Sequence, residues 1–201
     1  MARPKEFDEA DVLDAAVLCF WARGYEATSV RDLIEKTGIA AASLYNAFGD
    51  KRALYRKALD RYVAGSIADR IRRCEERAPR EALGAFFAEI VRRSLGDRDR
   101  KGCMLVNAAL DATPEDPGFR EIVAGVLTSI EAFFLRCIAA GQADGTITRS
   151  LSAQDLAYHL LGVLMGVRVL ARVRPERALL EGVVKPALAL LDRTGGEASA
   201  R

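Results

Sequence analysis

Apolar residues recur three and four positions apart along most of the chain, and short polar turns separate them into nine segments. Alanine, leucine, arginine and glutamate dominate these segments, whereas runs of β-branched residues are short. The pattern therefore predicts an all-α protein of nine helices. A chain of 201 residues is long enough to bury a substantial core.

The most informative segment is TSVRDLIEKTGIAAASLYNAFGDKRALY, which covers residues 28–55. Thr28 and Ser29 supply hydroxyls that can cap a helix, and Gly38 fits the left-handed position at which a helix ends. Leu44 and Phe48 have the spacing of an inward face. Two short helices joined by a glycine-containing turn form a helix-turn-helix, whose second helix is shaped to enter a DNA major groove. The residues predicted to face outward on that helix are Ala41, Ala42, Ser43, Tyr45 and Asn46.

The helix pattern predicts two functional parts. Residues 1–48 are predicted to form the helix-turn-helix DNA-binding domain, and residues 49–193 a ligand-sensing and dimerisation domain. The fourth helix, residues 50–75, connects them. No proline or glycine occurs from Lys51 to Ala64, so we expect this helix to act as a stiff lever. The last residues, 194–201, predict a disordered tail.

The last two predicted helices, about 152–173 and 176–192, are apolar almost all round. Gly162 and Gly166 lie four residues apart, which would let another helix approach closely. A surface helix this apolar is usually covered, so we expect these two helices to form a homodimer interface. The alternative is that both are simply buried core helices.

Charge distribution is more informative than the formal net charge of +2. Arg3 and Lys5 precede the first helix. A second basic group follows the predicted recognition helix, where a phosphate backbone would run beside the groove. This group consists of Lys51, Arg52, Arg56 and Lys57.

Composition argues against several other classes of protein. His159 is the single histidine, and the four cysteines lack CxxC spacing, so we expect no metal site, no cofactor and no enzymatic activity. Because His159 lies on an apolar stretch, we interpret it as a packed or interface residue. No apolar run reaches the ~18 residues of a membrane span, and the charged N-terminus does not resemble a signal peptide. We therefore expect a cytoplasmic protein without a membrane partner.

A ligand pocket in a helical bundle is mostly apolar and carries a few polar groups. We therefore expect a hydrophobic or aromatic effector. For each candidate residue taken alone, the bland interpretation as part of the core is the stronger one. The candidate pocket residues are Phe86, Phe87, Ile90, Met104, Asn107, Phe133, Phe134, Cys137, Tyr158 and Met165.

Cys103 carries a separate hypothesis. It lies at a predicted helix N-terminus and follows Arg98, Arg100 and Lys101, and both features favour the thiolate form of a cysteine. A reactive thiolate would make Cys103 a sensor of oxidants or electrophiles. The alternative is a small apolar residue that packs at the start of a helix.

The segment at 28–55 and the preceding VLDAAVLCFWARGYEAT resemble the TetR family of bacterial transcriptional regulators. The spacing G-I-x(4)-L-Y-x(2)-F-x(2)-K carries the resemblance, and Gly102 to Asn107 match a G-C-x-x-V-N segment of some members. The resemblance implies an Ω-shaped, all-helical homodimer, usually a repressor that a small ligand releases from its operator.

The resemblance also implies roles for individual residues. Thr28, Tyr45 and Lys51 match the positions that contact DNA phosphates. Base reading would fall to Ala41, Ala42, Ser43 and Asn46, and the alanines depart from a common pattern of basic or polar residues. Since the recognition helix carries no charge, we expect affinity to depend on phosphate contacts and to fall steeply with salt.

We therefore expect a DNA-binding transcriptional regulator. The expected activity is repression at double-stranded operator DNA, relieved by a small hydrophobic ligand or a reactive electrophile. The alternative is a helical architectural protein that binds DNA without a ligand switch.

Overall fold

The computed structural model describes residues 7–193, and every regular element in this range is helical. Arg3, Lys5 and the predicted tail at 194–201 lie outside the described residues. A π-helical stretch, Val63–Ala68, joins α4 to α5, so that counting the three together gives the nine predicted helices. The helices are α1 (Glu9–Ala27), α2 (Val30–Thr37), α3 (Ala41–Phe48), α4 (Lys51–Tyr62), α5 (Asp69–Glu75), α6 (Pro79–Gly96), α7 (Met104–Asp111), α8 (Pro117–Asp144), α9 (Ala153–Val173) and α10 (Arg177–Ala189).

The connecting helix is less uniform than the sequence suggested. Its α-helical geometry ends at Tyr62, and the π stretch that follows contains Gly65. Glycine has no side chain to restrict the backbone, and π segments usually mark a local irregularity in a helix. The stiff part of the expected lever is therefore limited to α4.

The chain divides into two compact units. Within the described residues, the first holds 7–67 and 103–123, and the second holds 68–102 and 124–193. This division does not coincide with the predicted boundary after residue 48, because α4 and α7 both pack against α1. The first unit is thus the helix-turn-helix together with the helices that support it.

Stacked aromatic rings form the centre of the first unit. Tyr55 is fully buried, and its ring lies 4.8 Å from that of Phe20, 5.1 Å from Tyr25 and 5.2 Å from Phe119, between centroids. Such pairs stabilise a core beyond the area they bury. These contacts join α1, α4 and the start of α8 in one packed cluster.

Four phenylalanines form the centre of the second unit. Phe86 and Phe87 of α6 pack against Phe133 and Phe134 of α8, with ring centroids 5.2–5.7 Å apart. All four side chains are buried. α6 also packs against α9 and α10.

Two helices, Pro117–Asp144 and Ala153–Val173, are long and apolar enough to cross a membrane by length and composition alone. Charged residues, among them Glu131 and Arg168, interrupt both helices, so the expectation that no apolar run reaches ~18 residues is not contradicted. Charged residues are sparse enough in both helices for an 18-residue window to qualify, and neighbouring helices cover part of each. Core helices of soluble proteins pass the same test, so the result is weak evidence for a membrane span.

One face of α9 is left uncovered by the other residues that the structure describes. Tyr158 is 54% exposed and Val173 70% exposed, and Val169 is also exposed. A Cβ added at Gly162 or Gly166 would meet no atom within 4 Å. These five residues recur three or four positions apart, so they form one continuous apolar surface, here called the α9 face.

Two glycines of α8 should respond to the same substitution in opposite ways. A Cβ at Gly141 would lie 2.6 Å from Cδ1 of the buried Ile147, whereas a Cβ at Gly125 would meet nothing within 4 Å. We expect Gly141→Ala to lower the free energy of unfolding by about 1–3 kcal/mol through overpacking. Gly125→Ala should raise it by about 0.5–1 kcal/mol, because alanine favours the helix. Urea denaturation measures both, and equal shifts of the two variants would contradict the geometry.

Candidate nucleic-acid interface

Thr28 shapes the turn between α1 and α2. Its Oγ1 donates a hydrogen bond to the Gly24 carbonyl oxygen at 2.7 Å, and its backbone N–H donates to the Tyr25 carbonyl oxygen at 3.4 Å. The side chain is fully buried, at 0% exposure. In this conformation Thr28 therefore does not present its hydroxyl to a phosphate, as the family resemblance implied.

Ser29 caps α2. Its Oγ accepts a hydrogen bond from the Asp32 backbone N–H at 3.1 Å, and the Asp32 carboxylate accepts one from the Ser29 backbone N–H at 2.8 Å. This reciprocal arrangement is a capping box. The Ser29 hydroxyl, the Ser29 backbone N–H and Arg23 all donate to Asp32, which lowers the pKa of that carboxyl to about 2. The sequence indicated a cap at 28–29, and the structure assigns it to Ser29.

The turn between α2 and α3 depends on Gly38, whose φ of 73° lies in the left-handed region that other residues rarely adopt. From this turn α3 directs Leu44 and Phe48 into the core. Ala42, Tyr45 and Asn46 are exposed, with Tyr45 at 38%, whereas Ala41 and Ser43 are half-buried. Three of the five residues predicted to face outward are thus exposed, and the other two are partly exposed.

The recognition helix is chemically plain. It contains no charged residue, and Ala40 at its N-cap position makes no side-chain hydrogen bond. The first backbone N–H groups of α3 therefore have no capping side chain. Such groups favour negative charge.

Lys51 begins α4, where Asp50 accepts a hydrogen bond from the Ala53 backbone N–H at 2.7 Å. The Lys51 Nζ lies 4.4 Å from the centroid of the Tyr25 ring, and the Lys57 Nζ lies 5.3 Å from that of Phe48. Cations are attracted to aromatic faces, so the Tyr25 and Phe48 rings partly position the two ammonium groups.

The arginines of the predicted basic group are already paired. The Asp116 carboxylate accepts hydrogen bonds from Arg52 and from Arg56, the latter at 2.7 Å. The Arg52 guanidinium also lies between two rings, 4.5 Å from the Tyr25 centroid and 4.2 Å from that of Phe119. Arg52 and Arg56 thus join α4 to the start of α8 and are not free to pair with a phosphate backbone in this conformation.

Asp116 was missed in the sequence, although a signal for it was present. Its Oδ1 accepts a hydrogen bond from the Phe119 backbone N–H at 2.9 Å, so it caps α8, which begins at Pro117. An aspartate directly before a proline is a common helix start. The sequence could have revealed the cap, but not its arginine partners 60 and 64 residues away.

The predicted pocket residues lie in both units. Met104 and Asn107 are buried in the first unit, and the remaining candidates belong to the second. In the second unit the four phenylalanines, Ile90 and Cys137 are buried, whereas Met165 is half-buried and Tyr158 lies on the exposed α9 face. The effector pocket stays a prediction. His159, which we expected to be packed or at an interface, is exposed on α9.

Cys103 lies at the N-cap position of α7 and is buried. The Tyr62 hydroxyl donates a hydrogen bond to its Sγ at 3.5 Å. Burial raises the pKa of the Cys19, Cys74 and Cys137 thiols, that of Cys137 to about 11. Within the described residues, no group of three or more histidine, cysteine or carboxylate side chains could hold a metal ion.

Comparison with known proteins agrees with this geometry. The family model of bacterial regulatory proteins, tetR family, matches residues 12–58, and the tetracyclin repressor-like C-terminal domain matches residues 79–185. The chain belongs to the TetR family of transcriptional regulators. The all-α fold, the helix-turn-helix and the expectation of a regulator rather than an enzyme are thereby confirmed.

Relatives of this TetR-family chain match it over most of their length. The Escherichia coli repressor ComR is 33% identical over 91% of this chain and 87% of the relative. The Bacillus subtilis regulator YezE is 36% identical over 96% of this chain and all of the relative. A cysteine mutant of the TetR family regulator CifR, solved with 26-bp double-strand operator DNA, has a TM-score of 0.84 and 33% identity, over 94% of this chain and 100% of that one.

Substitution of Asp116 tests whether its carboxylate stabilises the first unit. The Phe119 N–H, then Arg52 and Arg56, lower the pKa of Asp116 below its usual value. A lowered pKa means that the carboxylate stabilises the fold above its ordinary pKa, and that this contribution is lost as pH falls through the folded-state pKa. We expect Asp116→Asn to lower the thermal midpoint at pH 7 and to flatten its decline in acid.

Thermal midpoints measured from about pH 7 to pH 3 provide the comparison. The control is Asp99→Asn, which removes an exposed partner of Lys101 and should change little. If both variants follow the same pH curve, Asp116 is not the anchor of this unit.

Proposed function

We propose that this TetR-family chain is a transcriptional repressor, which binds operator DNA as a homodimer and is released by a small hydrophobic ligand or a reactive electrophile. The observation that carries the proposal is the exposed face of α3, held outward by the buried Leu44 and Phe48. The relatives support it, since ComR is named a repressor and CifR was solved with operator DNA. Such a protein acts where the DNA is, in the cytoplasm.

Recognition of the operator combines weak base reading with phosphate contacts. Asn46 is exposed and can form a pair of hydrogen bonds with adenine, and the Ala42 methyl can contact a thymine methyl. The Tyr45 hydroxyl and the Lys51 ammonium are the phosphate contacts, because Tyr45 is exposed on α3 and Lys51 begins the next helix, α4. Ala41 and Ser43 are half-buried and contribute shape.

A homodimer through α9 and α10 explains two features of these helices. The α9 face leaves apolar side chains in water, and a second copy would cover it. A two-fold dimer also places two recognition helices in successive major grooves, about 34–36 Å apart. Tyr158, which the sequence suggested for the pocket, belongs to this face.

Release requires a signal that reaches α4. Asp116 fixes the start of α8 to Arg52 and Arg56 of α4, and α8 continues along the chain to Asp144 in the second unit. A ligand that shifts α8 would therefore pull α4 and change the separation of the recognition helices. We propose this pendulum-like movement as the switch, because a small change in separation costs several DNA contacts at once.

The electrophile branch of the proposal depends on Cys103. The cationic residues Arg98, Arg100 and Lys101 precede it in the sequence, and the Tyr62 hydroxyl donates a hydrogen bond to its sulfur. Burial raises the pKa of the other three thiols, so they should react slowly. Modification at the start of α7 would disturb packing between α7 and α1.

Footprinting on the DNA upstream of the coding sequence tests the function. We expect a two-fold symmetric protected site whose half-sites are centred about 34–36 Å apart. Hydrophobic ligands that raise the thermal midpoint should also remove the protection. Protection that no stabilising ligand removes would contradict the switch and favour the architectural alternative.

Salt dependence tests the phosphate contacts separately. We expect Lys51→Gln to weaken binding to all sequences alike and to reduce the slope of log K against log salt by about one per Lys51, hence about two per dimer. Arg72→Gln, which removes an exposed partner of Asp69 on α5, is the control and should leave the slope unchanged. A flat salt titration of the unaltered protein would contradict the phosphate contacts altogether.

Mild alkylation followed by mass spectrometry tests Cys103. We expect Cys103 to be labelled before Cys19, although Cys19 is the more exposed of the two. Cys103→Ser should abolish release of the operator by an electrophile and leave DNA binding intact. Labelling spread evenly over the four cysteines, or absent at Cys103, would eliminate this branch.

A further inference from the structure

Arg168 of α9 is a buried cation that no function assigned so far uses. Its side chain is among the least exposed of the polar residues, at 9%. Nη1 donates a hydrogen bond to Ser94 Oγ at 2.8 Å, and Nη2 donates to the Gly102 carbonyl oxygen at 2.6 Å. Nε is buried and has no hydrogen-bond partner.

Both partners of Arg168 are neutral, although a guanidinium is always charged in a protein. Within the described residues no carboxylate forms an ion pair with it. The two acidic side chains of the neighbouring loop are engaged elsewhere, since Asp97 accepts from the Gly102 backbone N–H at 2.8 Å and Asp99 pairs with Lys101 at 3.0 Å. A buried charge without a counter-charge is unfavourable, and a fixed arginine fork suits a carboxylate.

The surroundings of Arg168 do not supply the missing negative charge. Ser94 lies in the last turn of α6, whose carbonyl end carries only a partial negative charge. Arg172, one turn further along α9, lies against Gly102, so that a Cβ there would be 3.5 Å from its Cδ. Arg168 and Arg172 thus both lie against Gly102, where two cationic side chains can attract an anion.

The buried face of α6 indicates which chemical group the rest of a ligand would carry. Phe87, Ile90 and Ser94 lie on that face, and Ser94 is four residues, or about 6 Å, beyond Ile90. Phe87 of the phenylalanine cluster therefore shares one face of α6 with Ser94, the partner of Arg168. A molecule with an aromatic or apolar body and one carboxylate has both of the groups that this arrangement recognises.

We infer that Arg168 binds the carboxylate of a small aromatic or apolar acid, and that this acid is the effector. The inference rests on the proposed ligand switch, of which it names the ligand class. Ser94 and the Gly102 carbonyl hold the guanidinium in place, and the unpartnered Nε provides the free donor. The same arginine bonds Gly102, the residue before Cys103, so a carboxylate bound to Arg168 would be linked to Gly102 through the guanidinium.

Thermal shift with a panel of acids tests the site. The probes are benzoate, phenylacetate, cinnamate and octanoate, each paired with its neutral amide, at constant ionic strength. We expect at least one acid to raise the thermal midpoint by a few degrees while its amide does not. Arg168→Met should abolish this shift. Arg168→Lys keeps the charge but loses the planar guanidinium, so it should lower the affinity for the acid at least tenfold.

Arg174→Gln is the matched control, since Arg174 is an exposed arginine paired with Glu176 near the end of the same helix. It should keep the full response to the acid. No response to any acid, equal responses to acid and amide, or a response that survives Arg168→Met would overturn the inference.

Operator release distinguishes failure of this inference from failure of the switch. An acid that binds through Arg168 but leaves the operator occupied supports the site and contradicts its role as effector site. Release by a neutral compound that acts equally on Arg168→Met supports the switch and contradicts the acid.

Discussion

The Asp116 carboxylate is the contact on which the DNA-reading unit depends. It caps the start of α8, accepts hydrogen bonds from Arg52 and Arg56 of α4, and accepts one from the backbone N–H of Phe119, whose ring packs on that of Tyr55. Removing any one of these contacts would weaken the others, because hydrogen bonds in a network polarise one another. The aromatic contacts hold α4 against α1 and the start of α8, and α3 packs against α4, so the position of the recognition helix depends on residues far from it in sequence.

Local patterns were sufficient to predict most of the fold. Helical spacing gave nine helices, Gly38 gave the turn, and Leu44 and Phe48 gave the inward face of α3. Each of these depends on neighbours within one or two turns. The sequence misplaced features that depend on distant partners, such as the engagement of Arg52 and Arg56 by Asp116.

The candidate sites were predicted less well for the same reason. Residue type indicated that Thr28 could meet a phosphate, but the carbonyl of Gly24 takes its hydroxyl and the core encloses it. The role of Arg168 could not be predicted from the sequence, because its position on an apolar helix does not reveal whether a carboxylate lies next to its guanidinium. Only coordinates show that Ser94 and Gly102 are its partners.

The alanine before α3 has a consequence for how stability and binding are related. A serine or aspartate at that position would stabilise the helix by about 1 kcal/mol, and this chain forgoes that stabilisation. An anion at the same end would supply what the missing side chain does not. The recognition helix would then be firmest when DNA is present, so that occupancy of the operator and the order of α3 are thermodynamically linked.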